Sequence, residues 1–155
     1  MIPLSQLHPM VVHFPIVFLL CLGVFDLVCL VRGSSISGRS CTAALSTGLA
    51  VLAGVAAGVT FLLGDMAFDI AVAHGMPEAK LEQHEGLGTW TAILALTWAV
   101  LRALAWWRGL SLEGGRKPAV VVLEIALVGM VVATAYFGGK LVYDLGVNTA
   151  WAMRG

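Results

Sequence analysis

From Met10 to Val31 the chain reads MVVHFPIVFLLCLGVFDLVCLV. This run holds one carboxylate, Asp26, and neither lysine nor arginine. About 20 mostly apolar residues suffice to cross the hydrocarbon core of a bilayer as a helix, so the run predicts a spanning helix. Three further stretches meet the same test: Thr42 to Leu63, Leu87 to Trp107 and Pro118 to Phe137. Composition agrees, with 59% hydrophobic and 12% charged residues and a mean hydropathy of +0.93. A soluble chain this short could not hide so much apolar surface, and the lipid bilayer is the first partner to expect. The formal net charge of zero argues against nucleic acid. The opening MIPLSQLHPM has no basic segment and no small-residue cleavage site follows the apolar run. The first span is therefore expected to remain in the mature protein.

The expected fold class is all-α: one domain over residues 1–155, an integral membrane four-helix bundle. Short connections favour an up-down-up-down order. Breaks fall at RGSSISGRS (32–40), at the polar stretch from Gly64 to Gly86, and at RGLSLEGGRK (108–117). Arg32, Arg39, Arg102, Arg108, Arg116 and Lys117 lie in or near the first and third connections, against Lys80, Lys140 and Arg154 elsewhere. The positive-inside bias puts the first and third connections in the cytoplasm and both termini on the periplasmic side of a bacterial inner membrane. In the second span Gly54 and Gly58 form a GxxxG, read as tight packing inside the bundle rather than dimerisation. Cys21, Cys29 and Cys41 have no metal-type or disulfide spacing and are read as small apolar residues.

All four histidines, His8, His13, His74 and His84, fall on the outer side in this topology. His8 precedes Pro9 and is expected at or just before the first helical residue. Pro15 removes a backbone donor and should bend the helix near His13. Five residues separate His8 from His13, about 140° around an ideal helix, so the two cannot face one ligand without distortion. Pro77 and Glu78 look like a helix start with an acidic first turn, which carries His84 just above the apolar boundary. The first and third spans then run parallel on opposite corners of the bundle, with His13 and His84 at similar depth. A metal centre between them, a haem with two axial histidines, suits that geometry, and Gly86 and Gly88 would leave room for something flat. Each histidine could instead bond water or a backbone carbonyl. The absence of CxxCH excludes covalently attached haem in this chain.

Toward the cytoplasmic side lie Asp26, Arg102 and Glu124, each about 9–10 Å or less from the basic edge along its helix. Ionisable groups in spans turn inward and pair. They read as a structural ion-pair cluster, with Arg102 partly snorkelling, or alternatively as a proton or quinone site. No phosphate loop, nucleophile elbow, HExxH or dinucleotide fingerprint is present. Asp65, Asp69, Glu78, Glu82 and Glu85 read as a solvated acidic face, with a cation site or a docking surface for a basic partner such as a cytochrome as the lesser alternative.

The run LHPMVVHFPIVFLL (7–20), the His84-Glu85-Gly86 triplet and the closing GGKLVYDLGV (138–147) resemble signatures of a bacterial membrane-protein family, domain of unknown function 2231. The resemblance covers nearly the whole chain. It implies a four-helix membrane protein, in some members joined to cytochrome or other redox modules, and hence a b-type haem or electron-transfer setting, with His8, His13 and His84 at the matching positions. It also implies a histidine in many relatives where this chain has Leu145, so two haems are not expected here. Gly138 and Gly139 should break or tighten the fourth helix at the outer boundary. Tyr143 or Asp144 could support a ligating histidine or a haem propionate, and Trp151 reads as an interfacial anchor.

The function expected from these readings is a small b-type haem-binding subunit that transfers electrons near the periplasmic face, inside a larger redox complex. His13 and His84 would be the axial ligands, with His8 supporting or substituting. Other membrane redox subunits, a quinone and a periplasmic cytochrome are the expected partners. The rival reading is a non-catalytic accessory subunit. A metal transporter is ranked last, because the central polar groups lie far from the histidines.

Overall fold

The computed structural model describes residues 4–149, which contain helices and no strands; Trp151 and Arg154 lie outside them. The helices are α1 (Leu4–Val11), α2 (His13–Arg32), α3 (Cys41–Ala73), α4 (Glu78–Trp107) and α5 (Arg116–Tyr143). Four segments are long and apolar enough to cross a membrane: Gln6–Arg32, Cys41–Ala73, Glu78–Trp107 and Arg116–Tyr143.

The first of these is interrupted at Val12, between α1 and α2. Pro15 has no N–H to offer the Val11 carbonyl, and its ring crowds that carbonyl; the interruption falls there, as Pro15 implies. The helix nevertheless starts earlier than expected. Leu4 opens α1 and Pro9 lies inside it, so His8 is well within a helix rather than at its threshold.

The stretch from Gly64 to Gly86 departs in part from the expected polar break: Pro77 and Glu78 open α4 as expected, but α3 runs further than expected. It is not a loop: α3 continues to Ala73, α4 begins at Glu78 after Pro77, and only residues 74–77 connect them. At about 1.5 Å per residue α3 is roughly 50 Å long against a core of about 30 Å. A helix that satisfies its own backbone bonds can leave lipid and continue into water, so polar residues mark the boundary of the membrane without ending the helix. Gly138 and Gly139 likewise sit inside α5, which runs on to Tyr143. True stops carry other signals. Gly33 takes φ 68° at the end of α2, and Ser40 caps α3 by accepting the Ala43 N–H at 3.1 Å.

α2 packs on α3 and α5, and α4 packs on the same two helices, so α2 and α4 occupy opposite corners. The closest seam joins α3 to α4. A Cβ built on Gly54 would stand 2.4 Å from Ala99 Cβ, and one on Gly58 3.3 Å from Leu96 Cδ1. The GxxxG therefore serves packing inside the bundle. Leu19, Ala53, Leu127 and Val131 form a buried cluster beneath Trp98, while Val24, Val31, Val55, Leu62 and Val122 face outward. That apolar exterior is the surface the lipid covers.

At the basic end, Glu113 ties two connections together. Its Oε1 accepts from Ser35 Oγ at 2.8 Å, Ile36 N at 2.9 Å, Ser37 N at 3.1 Å and Ser37 Oγ at 2.9 Å. Lys117 Nζ lies 3.5 Å from its other oxygen and donates to the Ser34 carbonyl. Ile36 is wholly buried under this latch.

Candidate functional site

His8, on α1, and His84, nearly two turns into α4, meet across the diagonal of the bundle. Their ring centroids are 6.1 Å apart and the ring planes cross at 74°. His8 Nδ1 lies 3.1 Å from the Thr60 carbonyl of α3, and His84 Nδ1 lies 3.0 Å from the Thr134 carbonyl of α5. A carbonyl only accepts, so the ring nitrogen facing it is the one that carries the proton in a neutral imidazole. Each Nε2 is then left with its lone pair, the form in which histidine binds metals.

Two glycines admit these rings. A Cβ on Gly64 would lie 3.0 Å from His8 Cε1, and one on Gly138 2.8 Å from His84 Cε1. Side chains on a helix lean toward its N-terminus and cover the turn before them. The residue four positions after Thr60 or Thr134 is the one whose side chain would shield that carbonyl. Glycine at 64 and at 138 leaves both carbonyls open. Thr134 is further fixed by its hydroxyl, which lies 2.9 Å from Thr91 Oγ1 and donates to the Met130 carbonyl at 2.9 Å.

The other expected site residues fall differently. His13 is exposed on α2 and does not share the ring contact of His84; His8 stands where His13 was expected. The reason is the angular offset along the first span: with His8 turned inward to Thr60, His13 turns out. His74 caps the end of α3, with Nδ1 2.7 Å from the Ile70 carbonyl. Tyr143 is 89% exposed. Asp144 lines an outward-opening cleft of about 330 Å³ together with Lys80, Gln83, His84 and Lys140. No side chain lies within 4 Å of a Cβ on Gly86, whereas one on Gly88 meets Thr134 at 3.9 Å. Among the described residues no group of three or more His, Cys, Asp and Glu side chains is placed to hold a metal ion.

Asp26, Arg102 and Glu124 do come together at the opposite end. Arg102 Nη2 is 3.3 Å from Asp26 Oδ2, and Nη1 is 3.6 Å from Glu124 Oε1. Arg102 is 2% exposed, so it does not snorkel. It also donates to Ser46 Oγ, which in turn donates to Asp26 Oδ2 at 2.7 Å. Trp98 Nε1 donates to Glu124 Oε1 at 3.1 Å. Ser46, Trp98, Thr60, Gly64 and Thr134 escape a reading of sequence alone; the signal that could have exposed the last three is the repeated TxxxG of TFLLG (60–64) and TAYFG (134–138).

Membrane-length helices around a histidine pair at one end and a buried ion cluster at the other define a multi-pass membrane protein. The chain belongs to the family described as a predicted membrane protein (DUF2231), whose model matches residues 4–151. No curated protein and no solved structure matches it.

Proposed function

We propose that this protein is a small b-type haem-carrying membrane subunit that moves electrons near the outer face of the membrane. The observation that carries this reading is the pair His8 and His84, each tied by Nδ1 to a backbone carbonyl, with centroids 6.1 Å apart. Centroids at this separation would let both rings reach one metal ion through nitrogens at about 2 Å each. The donor set points the same way. Two imidazoles with no third protein ligand nearby suit a group that brings its own equatorial nitrogens. Such a haem would supply a one-electron couple; the chain would supply Nε2 of His8 and of His84 and hold their orientation through the two carbonyls.

Contacts between neighbouring helices support an up-down-up-down order. His8 meets the late part of α3 and Asp26 its beginning, and His84 meets the late part of α5 while Trp98 reaches its early part. With the basic connections inward, both ends of the chain and the histidines face the periplasm of a bacterial inner membrane. The working partners are other membrane redox subunits, a quinone pool and a periplasmic cytochrome, for which the acidic helix ends beyond the histidines offer a docking face.

The test is the absorption spectrum of detergent-purified protein, oxidised and then reduced with dithionite. A sharp reduced α-band that His8→Ala or His84→Ala abolishes and His13→Ala leaves intact supports the assignment. A preparation without haem, iron or copper rejects it in favour of an accessory subunit.

A further inference from the structure

We infer that the chain is two equivalent helix hairpins facing each other across one shared ligand, and that Thr60–Gly64 and Thr134–Gly138 are paired devices that aim the two ligand imidazoles. The first half is α1, α2 and α3; the second is α4 and α5. In each half a histidine near the start of the first span bonds a threonine carbonyl on the second, 52 residues later in one half and 50 in the other. In each, glycine follows that threonine by four positions and lies under the ring. The correspondence extends to the far side of the membrane, where Asp26 and Arg102 each come eighteen residues after their histidine and meet.

The device has a chemical purpose. A free neutral imidazole can place its proton on either nitrogen. An uncovered carbonyl at 3.1 or 3.0 Å from Nδ1 holds it there, so both Nε2 lone pairs are presented without competition. Two such donors facing each other would suit a flat metal macrocycle held by His8 and His84 from its two faces. A metal so held would have no vacancy for a small gas, which would favour electron transfer over gas binding. The ligand class rests on the haem reading; the device that sets the ring protons does not.

The experiment is nitrogen NMR on full-length protein labelled with ¹⁵N-histidine in detergent micelles at alkaline pH, which reports the protonated ring nitrogen directly. Signals are assigned by loss in His8→Ala and His84→Ala. In cofactor-free protein both rings are expected with the proton on Nδ1. Gly64→Ala should release His8 alone and Gly138→Ala should release His84 alone, while Gly48→Ala, which meets nothing within 4 Å, should move neither. A proton on Nε2 of either ring in the unsubstituted protein overturns the inference even if the glycine variants fail to fold. Where haem is present, the reduced spectrum should ignore carbon monoxide; a shift in the unsubstituted protein overturns the equivalence of the two ligands. A haem-free protein with both protons on Nδ1 upholds the paired devices and rejects the haem reading alone.

Discussion

Asp26 and Arg102 meet at 3.3 Å in the interior of the bundle, each eighteen residues beyond a histidine that faces its counterpart at the other end. The two centres are thus about 27 Å apart along the helices, close to the thickness of the hydrocarbon core. One guanidinium serves two carboxyl groups, and Ser46 bridges it to the first.

Removing that guanidinium leaves two buried carboxyl groups without a counter-ion. Arg102→Leu is expected to destabilise the fold by about 3–5 kcal/mol, the usual cost of breaking a buried pair from one side. Glu124→Gln keeps an acceptor for Trp98 and should cost clearly less. Thermal unfolding in detergent measures both; equal losses would mean that Arg102 does not organise the cluster.

The α3–α4 seam leaves no room at position 54. Gly54→Val should force the helices apart and cost about 1–3 kcal/mol, the range for overpacked interiors, whereas Gly48→Ala should be close to neutral because its methyl meets no neighbour. The same melting experiment compares the two, and a neutral Gly54→Val would refute the seam.

Glu113 gives the basic end an acid limit. Burial raises its pKa, but hydrogen bonds from Ser35, Ser37 and the Ile36 N–H, with the Lys117 charge, outweigh it and hold the carboxyl at about 2, below its ordinary 4.5. A folded-state value below the unfolded one means that the contribution is complete above about 4.5 and lost as pH falls toward 2. Glu113→Gln should therefore be less stable than the unsubstituted protein near neutrality and converge with it in acid. Melting temperatures across that range decide; parallel curves would show that the latch carries no charge-dependent stability.

The cysteines report orientation. Cys41 is exposed at the start of α3, and Cys29 is buried. A membrane-impermeant maleimide should modify Cys41 in inside-out vesicles and spare it in intact cells, with Cys29 unreactive in both. Modification of Cys41 from the outside of intact cells would invert the proposed topology.

Hydropathy made the four spans legible, because lipid demands long apolar helices regardless of their packing. It misplaced the end of the second span for the same reason: beyond Leu63 the chain is polar, yet the helical hydrogen bonds persist to Ala73, whereas the start of α4 at Glu78 was legible from Pro77 and the acidic first turn. His84 and the cluster of Asp26, Arg102 and Glu124 were legible as polar groups inside or beside apolar segments. That His8 rather than His13 meets His84 was not, since it depends on which face of the first span turns toward α3, and the offset between the two residues lets only one ring point inward. Gly138 and Gly139 read as breakers in the sequence, yet both lie inside α5. Gly64 and Gly138 act through the side chain they lack, and that absence has meaning only against a histidine from another helix.

The bond between Ser46 and Asp26 bears on biosynthesis. Asp26 emerges from the ribosome long before Arg102, so the first hairpin must enter the bilayer with its carboxyl still waiting for a counter-ion. A lone aspartate costs up to about 2.5–3.5 kcal/mol on insertion, the value at the centre of a span, and Ser46, on the adjoining helix of the same hairpin, donates to Oδ2. The hydroxyl is thus a partner within its own hairpin that the acid can meet before the arginine is made.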